Sequence, residues 1–157
     1  MYRENKIKTR DFGEITVKKE DIINFADGMY GFEDYKRYII LKDAPEDDVL
    51  FLQSLDNMEL SFVLIDPYAI FNDYNPVLTE EDLRELNTTD EDELKYLVIA
   101  IIKEDVRQSV VNLKSPVAIN PKLKTAKQVI LQNSYPLRYS IISTLGGQWM
   151  LVIKRKV

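Results

Sequence analysis

The chain has 157 residues, with 26 Asp and Glu against 21 Lys and Arg, a formal net charge of -5, a sequence pI of ≈ 4.9, and neither histidine nor cysteine. At 18.3 kDa and 45% hydrophobic content it reads as one globular domain. The missing residue types exclude thiolate nucleophiles, imidazole bases and nearly every zinc site with the usual ligands. They also argue against disulfide staples, and the acidic surplus disfavours a phosphate backbone as ligand while favouring a basic protein partner.

The opening MYRENKIKTRDFGEI carries no apolar core of signal-peptide length. The longest apolar run, 96–102, falls far below the roughly 20 residues that span a bilayer, so no membrane segment is expected and the reading is a soluble, cytoplasmic chain. Strand-like runs are predicted at 14–17, 38–42, 49–54, 59–65, 95–103, 109–113, 117–120 and 128–132. Between the first two lies DGMYGF, where Gly28 and Gly31 are expected to supply positive φ in a turn, with Phe25, Tyr30 and Phe32 anchoring it to the core. The spacing lacks the Lys-Ser/Thr and following helix of a phosphate loop. Residues 55–58, LDNM, read as a hairpin connection. In ELSFVLI, Leu60, Phe62 and Leu64 share one face and Ser61, Val63 and Ile65 the other, so both faces are apolar enough to be covered.

TEEDLREL predicts a short helix with Thr79 as N-cap and Asp82 three residues on, and TTDEDEL repeats the cue. Together they bring Glu80, Glu81, Asp82, Glu85, Asp90, Glu91, Asp92 and Glu93 against one base, Arg84. YLVIAII reads as a central strand. NLKSPVAIN, 112–120, reads as a corner, because Pro116 cannot donate to a ladder and belongs at an edge, a bulge or a junction of two short strands. Carboxylate pairs such as Asp56 with Asp66, or Glu33 with Asp34, come without a second catalytic component, and the aromatics read as core. The expected fold is mainly β: a small antiparallel β-barrel-like domain with one or two short helices over 1–145, followed by a basic, strand-like tail at 146–157.

Three segments in order resemble the flagellar assembly factor FliW family: NFADGMYGFEDYKRYIIL from Asn24, FLQSLDNMELSFVLIDPY from Phe51, and VNLKSPVAINPKLKTAKQVILQNSYPLRY from Val111. The family pattern has a G-x-x-G-F-E turn, an L-Q-S strand with a hairpin and a strand ending in D-P or N-P, then N-L-x-x-P-x-x-I-N and a Q-V-I-L strand. The likeness covers roughly residues 7–140. It implies a non-enzymatic cytoplasmic protein without cofactor that binds newly made flagellin. It also implies alternative binding to CsrA, a small β-rich regulator that blocks translation of flagellin mRNA.

Residues nominated for a partner surface are Asn112, Lys114, Pro116 and Asn120 with Gln53 and Ser54. Glu80, Glu81, Asp82 and Glu85 are nominated as an acidic docking face. MLVIKRK in the tail resembles the opening of CsrA, with Lys154 at its usual Ser/Thr position; it raises strand addition to the chain's own sheet or to another copy, so oligomeric state stays open. The rival readings are a direct RNA-binding β domain, which the acidic balance opposes, and an enzyme using a carboxylate and a lysine.

Overall fold

Residues 5–141 are described by the computed structural model, and the expected tail strand at 146–157 lies outside them. β1 (Asn5–Lys8) and β2 (Glu14–Val17) form an antiparallel hairpin beside the main sheet. The sheet itself is built from β3 (Ile23–Phe25), β4 (Arg37–Leu41), β5 (Val49–Ser54), β6 (Ser61–Ile65), β7 (Lys95–Ile101), β8 (Val110–Val111), β9 (Val117–Asn120), β10 (Thr125–Gln128) and β11 (Tyr139–Ser140). Strands β3 to β7 are joined to one another in sequence order; β7 pairs with β9, β9 with β10, and β10 with β3, which closes a seven-stranded barrel. All pairings are antiparallel except β3–β10, where Asn24 and Phe25 run alongside Thr125 and Ala126 in parallel.

Among the described residues two short α-helices interrupt the strands, besides three single turns of 3-10 helix. α1 (Pro67–Ile70) starts at Asp66, whose carboxylate accepts from the Tyr68 N–H, with proline preset for the first turn. α2 (Glu80–Glu85) starts at Thr79, whose Oγ1 accepts from the Asp82 N–H at 3.1 Å.

Period-2 alternation sorts side chains into two cores. Phe25, Tyr38, Leu50, Leu52, Leu64, Leu97, Val117 and Ile119 fill the barrel, as side chains do in small barrels. The opposite faces of the same strands present Val49, Phe51, Ile65, Tyr96 and Val98 to a second core roofed by Ile70, Tyr74, Leu78, Leu86, Leu113 and Leu131. β5 is consequently buried along its whole length. The N-terminal hairpin joins this outer layer through Phe12, edge-on to Phe51 with ring centroids 5.3 Å apart.

The sequence expectation missed β1, β3 and β11, and it started β6 at Glu59 where the turn still continues to Leu60. It also placed a strand over 128–132, whereas β10 ends at Gln128. Backbone bonds do follow, Val129 N–H to the Pro116 carbonyl and Leu131 N–H to that of Lys114, both at 3.0 Å. They run along a bulged partner, so no regular ladder forms.

Candidate functional site

The bulge is the corner foreseen at Pro116. Ala100 of β7 faces Val111 and Leu97 faces Val117, so 98–99 on one side oppose 112–116 on the other. β8 and β9 are thus two halves of one interrupted strand along the same edge of β7. Asn112 pins the interruption: its Oδ1 accepts from the N–H of Lys114 at 3.1 Å and of Ser115 at 2.9 Å. Tyr74 donates its hydroxyl to the Leu113 carbonyl at 2.7 Å, and Lys114 reaches the Asn133 carbonyl.

Four of the nominated surface residues are interior. Gln53 and Ser54 are each 1% exposed, Asn120 is 8% exposed, and Pro116 is buried. The Gln53 amide donates to the carbonyls of Ser54, Met58 and Leu60, while its Oε1 accepts from the Arg10 N–H at 3.0 Å. Ser54 Oγ accepts from the N–H groups of Asp56 and Asn57, which closes the β5–β6 turn. Asn120 donates to the Leu86 carbonyl at 2.8 Å and accepts from Lys122 and Leu123, tying β9 to the end of α2. Polar side chains in a turn-rich motif satisfy backbone groups before they can serve a partner. Asn112 and Lys114 are half-buried and keep partial access to solvent.

Gln128, not singled out in the sequence, joins two of the three motifs. Its Oε1 accepts from the Tyr30 N–H at 3.1 Å and its Nε2 donates to the Ser115 carbonyl at 3.4 Å, linking the glycine turn to the corner. In that turn Gly28 and Gly31 have φ of 67° and 86°. Glu33 accepts from the Gly31 N–H at 3.0 Å, and this bond is the main reason its carboxyl titrates below the usual range. Phe25 anchors the turn at 0% exposure, but Tyr30 and Phe32 do not: they are 53% and 40% exposed. Phe32 meets Phe62 edge-on at 5.4 Å, and Phe62 leads inward to Tyr38 at 6.2 Å.

The acidic face is smaller than its residue list suggests. Asp82 is 8% exposed and lies 2.7 Å from Lys127 Nζ, and Glu85 holds the same ammonium. Burial pulls the Lys127 pKa down, but the hydrogen bonds it donates to Asp82 and Glu85 outweigh it and the net shift is upward. That lysine stays charged, which suits a structural ion cluster and not a nucleophile. Glu80, Glu81, Asp90, Asp92 and Glu93 remain exposed along the ridge. Asp56 pairs with Arg37 at 2.6 Å and Asp66 caps α1, so these two carboxylates form no dyad. Among the described residues, no group of carboxylates is placed to hold a metal ion, and no helix is long and apolar enough to cross a membrane.

Comparison with known proteins agrees with this architecture. A family model described as FliW protein matches residues 6–141. The flagellar assembly factor FliW of Ruminiclostridium cellulolyticum is 38% identical over 144 residues, covering 90% of this chain and 97% of that protein. Its counterpart in Caldicellulosiruptor saccharolyticus is 35% identical over 148 residues, covering 94% and 97%. A crystal structure of the flagellar assembly factor FliW superposes with a TM-score of 0.80 at 31% identity, covering 88% of this chain and 97% of that one.

Proposed function

Since the chain belongs to the FliW family, we propose that it serves flagellar assembly by binding flagellin and, in alternation, the translational regulator CsrA, making and breaking no covalent bond. The observation that carries this reading is the match over 6–141 to relatives that are themselves flagellar assembly factors. A binding role also suits a surface where Tyr30 and Phe32 stand exposed beside Phe62, since aromatic side chains supply much of the energy of protein contacts. The exposed acids Glu80, Glu81 and Glu85, with the buried Asp82 among them, add a field that steers a basic partner and repels RNA held by it.

At ~10 Å in water a like-charge pair costs only about 0.4 kcal/mol, so several acids must act together. Asn112 and Lys114 are the corner residues offered as contacts. Gln53, Ser54, Pro116 and Asn120 hold that surface from beneath. The site of action is the cytoplasm, where flagellin and its mRNA are made.

The test is a pulldown with flagellin and CsrA from the same source, singly and in competition. Each partner alone is retained, and excess flagellin displaces CsrA. Retention of neither overturns the proposal, as does salt-sensitive RNA binding by the purified chain alone.

A further inference from the structure

Three segments meet at the corner around Pro116. On one side Val129 and Leu131 bond to the carbonyls of Pro116 and Lys114, with Ile130 between them; on the other the Leu113 N–H donates to the Pro136 carbonyl at 3.1 Å, next to Leu137. Asn133 fastens the third. Its Oδ1 accepts from the Val77 N–H at 2.8 Å and its Nδ2 donates to the Asn75 carbonyl at 3.0 Å, while the Gln132 N–H donates to the Val77 carbonyl. The backbone carbonyl of Asn133 then receives the Lys114 ammonium.

That ammonium is under-compensated. Lys114 is half-buried, its Nζ has three protons to donate, and the acceptor it reaches is a neutral carbonyl. Among the described residues no carboxylate lies within ion-pair distance of it. The sequence supplies the reason, since all 26 Asp and Glu fall within residues 1–105, and 106–141 holds six Lys and Arg with no acid at all. Arg107 pairs back to Asp105, and Lys127 reaches Asp82 and Glu85. Lys114 has no such neighbour. On the segments around it Val77, Ile130 and Leu137 are 40%, 54% and 60% exposed. One exposed apolar side chain is ordinary. Three of them on segments pinned to a cation without a counter-ion form a surface that an apolar patch bearing a carboxylate completes, in charge as well as in area.

We propose that this surface, Lys114 framed by Val77, Ile130 and Leu137, docks a segment of a partner protein that sets an Asp or Glu side chain on the ammonium and apolar side chains on the rim. The inference rests on the alternation between partners proposed above and gives one of them a face. A basic partner is repelled at this corner and drawn to the α2 ridge, so the corner is the flagellin side. The two partners thus engage faces of opposite charge.

Calorimetric titration of the full chain with flagellin and, separately, with CsrA tests the assignment, with circular dichroism to check the fold of each variant. Lys114→Glu is expected to weaken flagellin binding about tenfold and Lys114→Met about threefold, both leaving CsrA affinity within about twofold of the parent. Lys114→Met also flattens the salt dependence of flagellin binding. Leu137→Ser weakens flagellin binding with its salt dependence retained, and its exposure keeps this variant informative even where a Lys114 variant fails to fold. Flagellin affinity equal to the parent's in every folded variant overturns the assignment and leaves the proposed function standing. A loss confined to CsrA overturns it too, as does a short single-stranded RNA that binds the parent and not Lys114→Glu, which would make the ligand a phosphate. Binding of neither protein by the unaltered chain is a separate result that ends the proposed function and the assignment together.

Discussion

At the scale of single residues, the two turn glycines separate conformational freedom from space. A Cβ on Gly31 meets nothing within 4 Å, so Gly31→Ala carries only the penalty of its positive φ, about 1 kcal/mol. A Cβ on Gly28 would lie 2.7 Å from the backbone Cα of Glu33, in addition to the same φ penalty. Gly28→Ala is therefore expected to cost at least about twice as much, roughly 2–4 kcal/mol, read from urea midpoints at constant slope. Tyr38 provides a second check. Its ring is buried and its hydroxyl has no partner among the described residues; desolvation first, then the charge of Asp56, raises its pKa from 10.0 to about 12. A raised folded pKa contributes stability that is full below pH 10 and is lost as pH rises towards 12. Tyr38→Phe should sit within about 1 kcal/mol of the parent at neutral pH, since no hydrogen bond is broken. The variant should then lose less stability than the parent between pH 10 and 12, as followed by alkaline denaturation.

At the scale of elements, α2 owes its position to Lys127 of β10, which gathers Asp82 and Glu85. Lys127→Met leaves Asp82 largely buried without its cation, so a loss of about 2 kcal/mol is expected, reduced from a fully buried case because both side chains keep some solvent. Thr79→Ala removes only a cap and should cost about 1 kcal/mol. Reversing Glu80, Glu81 and Asp92 together places bases in the first turns of helical segments and should cost about 1–2 kcal/mol without unfolding the chain, read from thermal melts. The same triple reversal should weaken antagonism of CsrA–RNA binding while sparing flagellin binding; unchanged antagonism would remove the ridge from the mechanism. The cap at Thr79 was legible from the sequence because capping is decided within three residues. The burial of Asp82 was not, because its partner lies 45 positions away by residue number. The same limit shifted the last barrel strand: VIL looked like a strand by apolarity, and only the bulge opposite it stops the ladder at Gln128.

At the scale of the molecule, β7 serves two neighbours on one edge, β9 to close the barrel and β8 to extend the sheet beyond it. Closure also needs the parallel contact of Asn24 and Phe25 with Thr125 and Ala126, segments distant in sequence. Two cores sharing the same strands cannot unfold separately, since losing one face exposes the other. A single cooperative transition is expected, coincident by near- and far-ultraviolet circular dichroism, with refolding in milliseconds to seconds, as suits non-local β pairing. Non-coincident curves would show that the outer layer melts first.

The sequence by itself determined what local chemistry controls: strands from period-2 alternation, positive φ at two glycines, helix starts at capping residues, and a break at the one proline unable to donate inside NLKSPVAIN. Its motifs were also specific enough to mark the family. Only the tertiary structure decided which polar side chains face inward, because the backbone groups that claim Gln53, Asn120 and Gln128 are brought to them by strand pairing and turn closure. The same closure decided which apolar side chains stay in water among the described residues, leaving Phe32 partly exposed at the glycine turn and Ile101 partly exposed where β6 parts from β7.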